Sequence, residues 1–454
     1  MRKKRRSTPI TAAALSVAAA IAFAFPPAGP TVAHAERPVL SSSTPIYGAS
    51  VPAPAVKPLW QVRLAQFEQD GRPFTSAIAE EGRVFALADG GQLAAYDGAS
   101  GRKLWTYGAA LKPLLAYGQG VLYGLTKDGA VYAVGTNGGK KWTAPIRADK
   151  AESIAPVGDT VYVTQNLTLF ALDRATGKLL WKTMETAPQY EGGLNGVTET
   201  DGVVLRSYAV QGALSSTQIN AYDKKTGKQL WTSFRQLAPL AVRDGLVYSV
   251  IDEYMVGDND PANKRLRIAA LSLKSGAKKG ERVYAWTNTL ATPGQYQFGG
   301  ASGSAFLYGN DLYIYQDQAV AKYDFAAYSA NGKPAQRWAS PNARDYQPLY
   351  AVDGGRLLYQ NIHDNGIGVL KTANGQFAEF PNGVQPVQTD LYGKGLYVAR
   401  ADGTLDAYDF ASFKPVFSVK LGSRAFEATL QSGGMIYIRS GGTLYGVKLP
   451  ASLK

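Results

Sequence analysis

One eleven-residue string occurs three times along the chain with little change, and this repetition restricts the fold more than any other feature. The copies span residues 95–105, 171–181 and 221–231, and they share the pattern A-x-D-x-x-[ST]-G-x-x-L-W. A repeat with a period of about 40 residues indicates one supersecondary unit that is stacked many times. The repeat therefore decides the architecture before any other feature is considered.

Each copy is typical of a strand, a tight turn and a second strand. The aspartate can accept backbone N–H groups just ahead of it, and the glycine four residues later can adopt positive φ without steric cost. The turn residues are Asp97 with Gly101, Asp173 with Gly177, and Asp223 with Gly227. A further strand pair precedes each copy, so the unit is a four-stranded blade of the kind found in β-propellers.

The tryptophan that ends each copy is interpreted as packing between blades. A blade is too thin to bury both of its faces, and an indole N–H can reach a carbonyl of the next blade. The tryptophans in clear or partial copies are Trp105, Trp142, Trp181 and Trp231. Later units are predicted to end at Trp286, at Trp338, near Phe380 and at Phe417.

The end of the chain is a half-repeat without its closing strand, and residues 58–62 near the N-terminus are predicted to supply that strand. The two ends of the chain would then share one blade, which leaves no free sheet edge. The sequence predicts an all-β fold, a single propeller of four-stranded antiparallel blades. It contains eight or nine blades, depending on the unit near Phe380, which lacks a tryptophan.

The repeated string resembles that of the pyrroloquinoline quinone (PQQ)-like propeller family, and the resemblance covers residues 58–454. That family includes quinoprotein dehydrogenases, which use PQQ with calcium, and non-enzymatic members, among them an outer-membrane assembly lipoprotein that acts as a scaffold. The dehydrogenases typically carry two adjacent cysteines over the cofactor, whereas this chain has no cysteine. The resemblance therefore implies a scaffold-type member without a cofactor, although the lipid-bearing cysteine of the assembly lipoprotein is also missing.

The first 35 residues are typical of a secretory signal peptide. A basic run at residues 2–6 precedes an apolar stretch at 11–25, and Ala33-His34-Ala35 provides a cleavage site. Residues 36–57 are rich in proline and serine and are predicted to be a linker. We therefore expect a protein that is cleaved after Ala35 and secreted to the extracellular space or cell envelope, without a transmembrane segment.

Charge and composition limit the partners and the chemistry. Cleavage would remove five basic residues and no acid, which lowers the net charge from +13 to +8. No basic run suggests nucleic-acid binding, so we expect a monomer that binds a protein or an anionic envelope polymer. The chain has two histidines, and His34 leaves with the signal peptide. His363 is predicted to lie in a hairpin turn, which leaves no basis for a histidine-rich metal site.

The interpretation is therefore a non-catalytic binding module, and two alternatives stay open. One is a PQQ- and calcium-dependent oxidoreductase, and the other is a polysaccharide-active enzyme that uses channel carboxylates. A calcium site formed by Asp252 and Glu253 with residues 258–260 is possible, because calcium binds carboxylate and carbonyl oxygens. A polar loop without metal is the simpler interpretation of the same residues.

Uneven unit lengths indicate where a partner binds, because long loops on a rigid scaffold often carry function. Insertions at 206–218 and 251–267, with long connections at 184–195 and 287–300, predict a binding surface on one face over units three to six. Tyrosine and arginine are favoured in interfaces. The candidate contacts are Tyr190, Tyr208, Tyr254, Met255, Tyr296 and Phe298, with Lys264, Arg265 and Arg267 as a basic rim. Alternatively, these loops only shield blade edges.

Overall fold

The computed structural model describes residues 40–43, 53–184, 190–193, 196–210, 216–253, 263–287, 303–316, 319–330, 332–342, 345–379 and 386–454. Within these ranges the chain forms forty β-strands and one short 3-10 helix, Ala451–Leu453. No helix in this part of the chain is long and apolar enough to cross a membrane. The all-β prediction is confirmed.

Four strands precede the first complete blade. They are β1 (Leu40–Ser43), β2 (Trp60–Arg63), and the hairpin of β3 (Gln66–Gln69) and β4 (Arg72–Thr75).

Blades 1 to 4 follow in chain order, and each is an antiparallel sheet. Blade 1 contains β5 (Ala77–Glu80), β6 (Arg83–Ala88), β7 (Gln92–Asp97) and β8 (Lys103–Tyr107). Blade 2 contains β9 (Leu115–Gly118), β10 (Val121–Leu125), β11 (Val131–Gly135) and β12 (Lys140–Ala144). Blade 3 contains β13 (Ser153–Val157), β14 (Thr160–Gln165), β15 (Thr168–Asp173) and β16 (Leu179–Met184). Blade 4 contains β17 (Tyr190–Gly193), β18 (Thr198–Thr200), β19 (Val203–Val210), β20 (Ser216–Asp223) and β21 (Gln229–Phe234).

Blades 5 to 9 complete the fold. Blade 5 contains β22 (Ala241–Arg243), β23 (Leu246–Val250), β24 (Asn263–Ser272) and β25 (Lys278–Thr287). Blade 6 contains β26 (Ser304–Tyr308), β27 (Asp311–Gln316), β28 (Ala319–Asp324) and β29 (Gln336–Ala339). Blade 7 contains β30 (Tyr346–Asp353), β31 (Arg356–Asn361), β32 (Ile367–Lys371) and β33 (Phe377–Glu379). Blade 8 contains β34 (Pro386–Tyr392), β35 (Gly395–Arg400), β36 (Thr404–Asp409) and β37 (Pro415–Lys420). Blade 9 contains β38 (Leu430–Ser432), β39 (Met435–Ser440), β40 (Thr443–Lys448) and the N-terminal β2.

The N-terminal strand closes the last blade, as predicted. Strand β2 pairs antiparallel with β40, and Trp60 lies opposite Gly446. Nine hydrophobic clusters among the described residues each combine side chains of two successive blades, and one of them joins Val84 of blade 1 to Tyr437 of blade 9. The blades therefore form a closed ring of nine, the larger of the two predicted counts. First strands of neighbouring blades approach each other, such as β5 with β9 and β38 with β5, so they line the central channel.

Indole side chains tie successive blades together. In six joints the Nε1–H of a tryptophan donates to a backbone carbonyl of the next blade at 2.7 to 3.1 Å. The pairs are Trp60 to Gly98, Trp105 to Thr136, Trp142 to Arg174, Trp181 to Lys224, Trp231 to Leu273, and Trp338 to Thr372. The predicted packing role of these tryptophans is confirmed.

The repeat glycine has a second role besides its place in the turn. Gly227 has φ +69°, and a Cβ there would lie 2.5 Å from Cε3 of Trp181 in the preceding blade. Only a residue without a side chain lets the indole lie flat on the turn backbone. The aspartate works as predicted, since Oδ1 of Asp173 accepts the Thr176 N–H at 2.8 Å and its hydroxyl at 2.6 Å.

Blade 5 departs from the repeat in a way that the sequence interpretation missed. Its turn runs from Ser272 to Gly276, where the other blades have the aspartate and the glycine of the repeat. Counting on from this turn, Gly280 is the residue equivalent to the repeat tryptophan. Gly280 pairs with Ala270 next to a β-bulge, as the tryptophan does in other blades. Trp286 lies at the end of this unit as predicted, one residue before β25 ends, but it is six residues beyond the repeat-tryptophan position.

An arginine replaces the tryptophan at the joint between blades 5 and 6. The guanidinium of Arg282 donates to the backbone carbonyl of Phe325, the equivalent of the indole acceptor in other joints. It lies 4.3 Å from the ring centroid of Phe325, 4.6 Å from that of Tyr248 and 5.3 Å from that of Tyr328. The joint thus keeps a flat N–H donor, but the donor is a cation stacked on aromatic rings.

The N-terminal segment predicted to be a linker contacts both edges of blade 8. Strand β1 pairs antiparallel with β34, the first strand of that blade, with Ser42 opposite Thr389. Further along, the N–H of Val56 donates to the Ser418 carbonyl, and the Ser418 N–H donates to Pro54, on the outer strand β37. Backbone pairing in this segment is therefore part of the fold.

Candidate partner-binding face

Two blades extend beyond the others on one side of the ring. The turns between second and third strands emerge on this side together with the connections between blades, and we call it the upper face. Strands β19 and β20 have eight residues each and β24 and β25 have ten, against five or six in the corresponding strands of blades 1 to 3. Four additional residues extend a hairpin by about 13 Å.

The predicted insertions at 206–218 and 251–267 are therefore partly strand, which corrects their assignment as loops. In β24 the burial alternates, with Lys264, Leu266 and Ile268 buried and Arg265 exposed. Leu266 and Ile268 belong to the cluster shared with blade 6. The period of two residues puts Arg265 and Arg267 on the other side of the hairpin, toward blade 4.

The blade 4 insertion meets the connection that precedes it. Strand β17 pairs with the far end of β19, with Tyr190 opposite Val210 and Gly193 opposite Tyr208. The two segments that the sequence assigned to one surface therefore share one sheet. Backbone pairing holds them in fixed positions.

Direct hydrogen bonds join the extended hairpins of blades 4 and 5. The Ser216 hydroxyl donates to Oδ2 of Asp252 at 2.7 Å, and the Asp252 N–H donates to the carbonyl of Arg235, just after β21. Ser216 begins β20 and lies opposite Val210, at the tip of the blade 4 hairpin. The described parts of the two hairpins are thus fixed to each other before any partner arrives, which reduces the ordering cost of binding.

Charged side chains between these hairpins form one network. Arg267 donates to Glu253 and Glu281, and Lys278 also contacts Glu281. Nε of Arg265 lies 3.9 Å from Oε2 of Glu253, and the Arg265 side chain is 57% exposed. The hydrogen bond from Arg267 lowers the pKa of Glu281 to about 2. The predicted basic rim is therefore wrong for Arg267, whose charge is matched by two carboxylates.

Several predicted contacts lie elsewhere than expected. Tyr208 and Lys264 are 1% and 2% exposed, so neither belongs to an accessible surface. Tyr208 faces blade 3, and its hydroxyl lies 3.1 Å from that of Tyr222. Tyr190 is described only by its backbone pairing. Tyr254, Met255, Tyr296 and Phe298 lie outside the described residues, and so do residues 258–260 of the possible calcium site.

Exposed apolar side chains near the upper face were not predicted. Met184 is 67% exposed and Phe234 is 52% exposed, and they end the outer strands β16 and β21. Met184 lies opposite Thr168, the first residue of β15, and Phe234 lies opposite Gln218, the third residue of β20, which places both toward the upper face. Each lies three residues after a repeat tryptophan, so strand alternation from the buried indole was the signal that could have identified them.

The remaining polar sites have structural partners. His363 lies in the predicted turn, 66% exposed, with Nε2 3.2 Å from Asp345 Oδ1. A cleft of about 470 Å³ between blades 2 and 3 is lined by residues that include Arg174. The guanidinium of Arg174 already donates to the Gly158 and Gly118 carbonyls and to Tyr123. These groups are used in holding the blades together.

Within the part of the chain that the structure describes, the donor groups do not fit a PQQ and calcium site. Among the described residues, no three of His, Cys, Asp and Glu come close enough together to hold a metal ion. Carboxylates near the channel are bonded by protein donors. Asp390 accepts from Thr429 and Gln388, while Glu199 accepts from Tyr162 at 2.6 Å and pairs with Lys224. We therefore derive no reaction step through such a cofactor.

The nine-bladed ring with indole joints and an A-x-D-x-x-[ST]-G-x-x-L-W turn defines a PQQ-like propeller repeat protein. The family model described as outer membrane protein assembly factor BamB matches residues 51–154 and 127–379. Because these matches span well over half of the chain, the protein belongs to this family. No curated protein was found to match the sequence.

Three of the solved structures that this chain is similar to are a BamB, a quinohemoprotein alcohol dehydrogenase and a designed protein. BamB from Moraxella catarrhalis is 13% identical with a TM-score of 0.46, covering 86% of this chain and 98% of that one. Quinohemoprotein alcohol dehydrogenase from Comamonas testosteroni is 12% identical with a TM-score of 0.42, covering 86% of this chain and 77% of that one. The designed protein Ika8 is 13% identical with a TM-score of 0.42, covering 87% of this chain and all of that one.

Proposed function

We propose that the chain is an exported, non-catalytic propeller that binds a protein partner through the upper face of blades 3 to 5. The observation that carries this proposal is the pair of extended hairpins, which are fixed to each other by the Ser216 and Asp252 hydrogen bond. Exposed Met184 and Phe234 lie beside them. Apolar side chains next to a charged and pre-ordered surface are typical of a protein interface.

The balance of charge favours a protein over an anionic polymer at this surface. Arg265, Arg267 and Lys278 each lie within ion-pair distance of Glu253 or Glu281, so most of the positive charge of the network is matched by carboxylates. A polyanion needs an excess of positive charge, whereas a protein partner can use paired charges for register and specificity. The assembly role named in the family description supports the same choice.

Single substitutions at exposed positions test the binding surface. Purified chain carrying Phe234→Asp is compared with Leu104→Asp, which alters another exposed apolar residue on the outer strand of blade 1. We expect at least about tenfold less partner recovered from envelope extracts with Phe234→Asp, and unchanged recovery with Leu104→Asp. Melting temperatures of both variants are measured in parallel. Equal losses for the two variants, or no loss for either, would contradict the proposed surface.

Export is the second part of the proposal, and it rests on the basic and apolar segments before Ala35. A cleaved product should begin at Glu36. N-terminal sequencing of the protein recovered outside the cytoplasm checks this directly. Recovery of an uncleaved chain from the cytoplasm alone would overturn it.

A further inference from the structure

The channel side of blade 8 differs from the channel side of the other blades. Four residues of its first strand are almost completely inaccessible: Gln388 at 4%, Thr389 at 1%, Asp390 at 0% and Leu391 at 0%. The first strand of blade 2 is half-buried along most of its length. Strand β1 pairs with these same four residues from Leu40 to Ser43, and Pro386 and Tyr392 outside this register are buried as well.

Strand β1 is an additional strand on this edge and does not belong to the repeat. Blade 8 is already complete with its four strands β34 to β37, and β1 is added as a fifth strand on the inner edge. Its register covers four of the seven residues of β34. The inner edge of a first strand carries free N–H and C=O groups, so any extended segment can pair with it.

The length of chain between β1 and residues 54–56 is sufficient for β1 to belong to the same molecule. Strand β1 at the channel edge and β37 at the outer edge are four strand spacings apart, so they lie about 19 Å from each other. The chain is fixed again where residues 54–56 pair with Ser418 on the outer edge. The eleven steps from Ser43 to Pro54 can span about 35 Å, which is more than enough to cross blade 8.

We propose that the inner edge of β34 is a strand-accepting site in the channel, which Leu40–Ser43 occupies in the resting protein and an extended segment of a partner polypeptide occupies on binding. The occupant of the resting state defines the chemistry that fits, namely one leucine followed by three serines, without proline and paired antiparallel. Only four residue pairs hold β1, whereas seven residues of β34 are available, so a longer strand can displace it. This site is separate from the upper face of blades 3 to 5.

The test uses the mature chain and a fluorescein-labelled peptide of residues 36–47 as the probe. The double variant Ser41→Pro with Ser42→Pro removes two adjacent backbone N–H donors from β1. Since successive N–H groups of a strand point to opposite sides, one of the two removed donors is the one that points to β34. Ser41→Ala with Ser42→Ala keeps those donors and is the matched control. Anisotropy should show at least about tenfold tighter peptide binding to the proline variant than to the wild type, because the tethered strand no longer competes. The alanine variant should behave like the wild type.

A second pair of variants covers the case in which the proline variant does not fold. The chain has no cysteine, so Ser42→Cys with Thr389→Cys can form a single disulfide between register partners. The oxidised form should not bind the peptide, and reduction should restore binding. Hydrogen exchange at residues 388–391 should rise in the proline variant and fall again with peptide. Peptide binding that is equal in oxidised and reduced forms, or absent from a folded proline variant, would overturn the proposal.

Discussion

Blades 1 to 4 and blade 5 solve the same packing problem by different means. In the first group each blade ends in a tryptophan whose indole donates to the next blade. In blade 5 the same position is Gly280, and Arg282 supplies the flat N–H donor. The comparison teaches that the joints after blades 1 to 5 share one requirement, a planar group with an N–H that reaches the carbonyl after the turn, whereas blade 8 packs Phe417 at the same position. An indole meets this requirement, and so does a guanidinium stacked on aromatic rings.

The turns show the same difference between conserved geometry and changed residues. In blade 8 the glycine position of the turn is Phe413, at φ 55°. The turn is nevertheless closed as in blade 1, because Asp409 accepts the Ser412 N–H at 2.8 Å, as Asp97 accepts that of Ser100 at 2.9 Å. The carboxylate holds this turn even where glycine has been lost.

The largest effect is expected from Trp181→Ala in blade 3. Trp181 is 7% exposed and bonds to Lys224 in blade 4 at 2.7 Å. The loss of its buried surface and of this bond should lower the free energy of unfolding by about 3–5 kcal/mol. Chemical denaturation measures the change. A loss below about 1 kcal/mol would show that the indole does not hold the joint.

The next effect separates the two roles of the repeat glycine. Gly227→Ala places a Cβ 2.5 Å from the Trp181 ring at φ +69°, whereas Gly245→Ala has nothing within 4 Å at φ +70°. We expect a loss of about 3 kcal/mol for Gly227→Ala and of about 1 kcal/mol for Gly245→Ala. Equal losses in the two denaturation curves would mean that only backbone strain matters.

The irregular joint should depend on Arg282. Arg282→Ala removes the bond to the Phe325 carbonyl and the contacts with three aromatic rings, so we expect a loss of about 2 kcal/mol. Arg265→Ala, in the same hairpin but exposed, is the control and should be nearly neutral. If both variants unfold at the same denaturant concentration as the wild type, the assignment of Arg282 as the tryptophan substitute is wrong.

The smallest effect concerns the charge network between the extended hairpins. Arg267 holds the pKa of Glu281 at about 2 in the folded chain, below the value of about 4.3 expected when unfolded. The contribution of Glu281 is therefore complete above the unfolded pKa and is lost as the pH falls from about 5 to 2. Glu281→Gln should flatten the pH dependence of the melting temperature in this window. An unchanged slope would contradict the pairing.

The sequence predicted the frame well because the repeat residues act locally. Asp173, Gly177 and Trp181 specify a turn and a joint within eleven residues, and the structure has each in that role. The prediction of the repeat-tryptophan position failed at blade 5. Trp286 is the tryptophan nearest to the expected spacing, whereas the residue at the equivalent position is Gly280, which carries no side chain to recognise.

The candidate surface was harder to predict because it depends on contacts between distant segments. Residues 206–210 were interpreted as loop, although they continue a strand whose partner begins at Ser216. Tyr208 and Lys264 are buried by neighbouring blades, which local sequence does not reveal. The pairing of β1 with β34 joins residues about 350 positions apart and has no local signal.

The most direct test of the account compares blade 5, which has an extended hairpin, with blade 2, which does not, as binding surfaces. A photo-crosslinking residue is placed at Arg265, exposed on the extended hairpin of blade 5, and in a second protein at Lys140, exposed on the outer strand of blade 2. Both proteins are irradiated in the cell envelope, and the crosslinked species are identified by mass spectrometry. We predict one defined protein adduct from position 265 and none from position 140. The same adducts from both positions, or adducts from position 140 alone, would contradict the claim that the extended hairpins carry the binding surface.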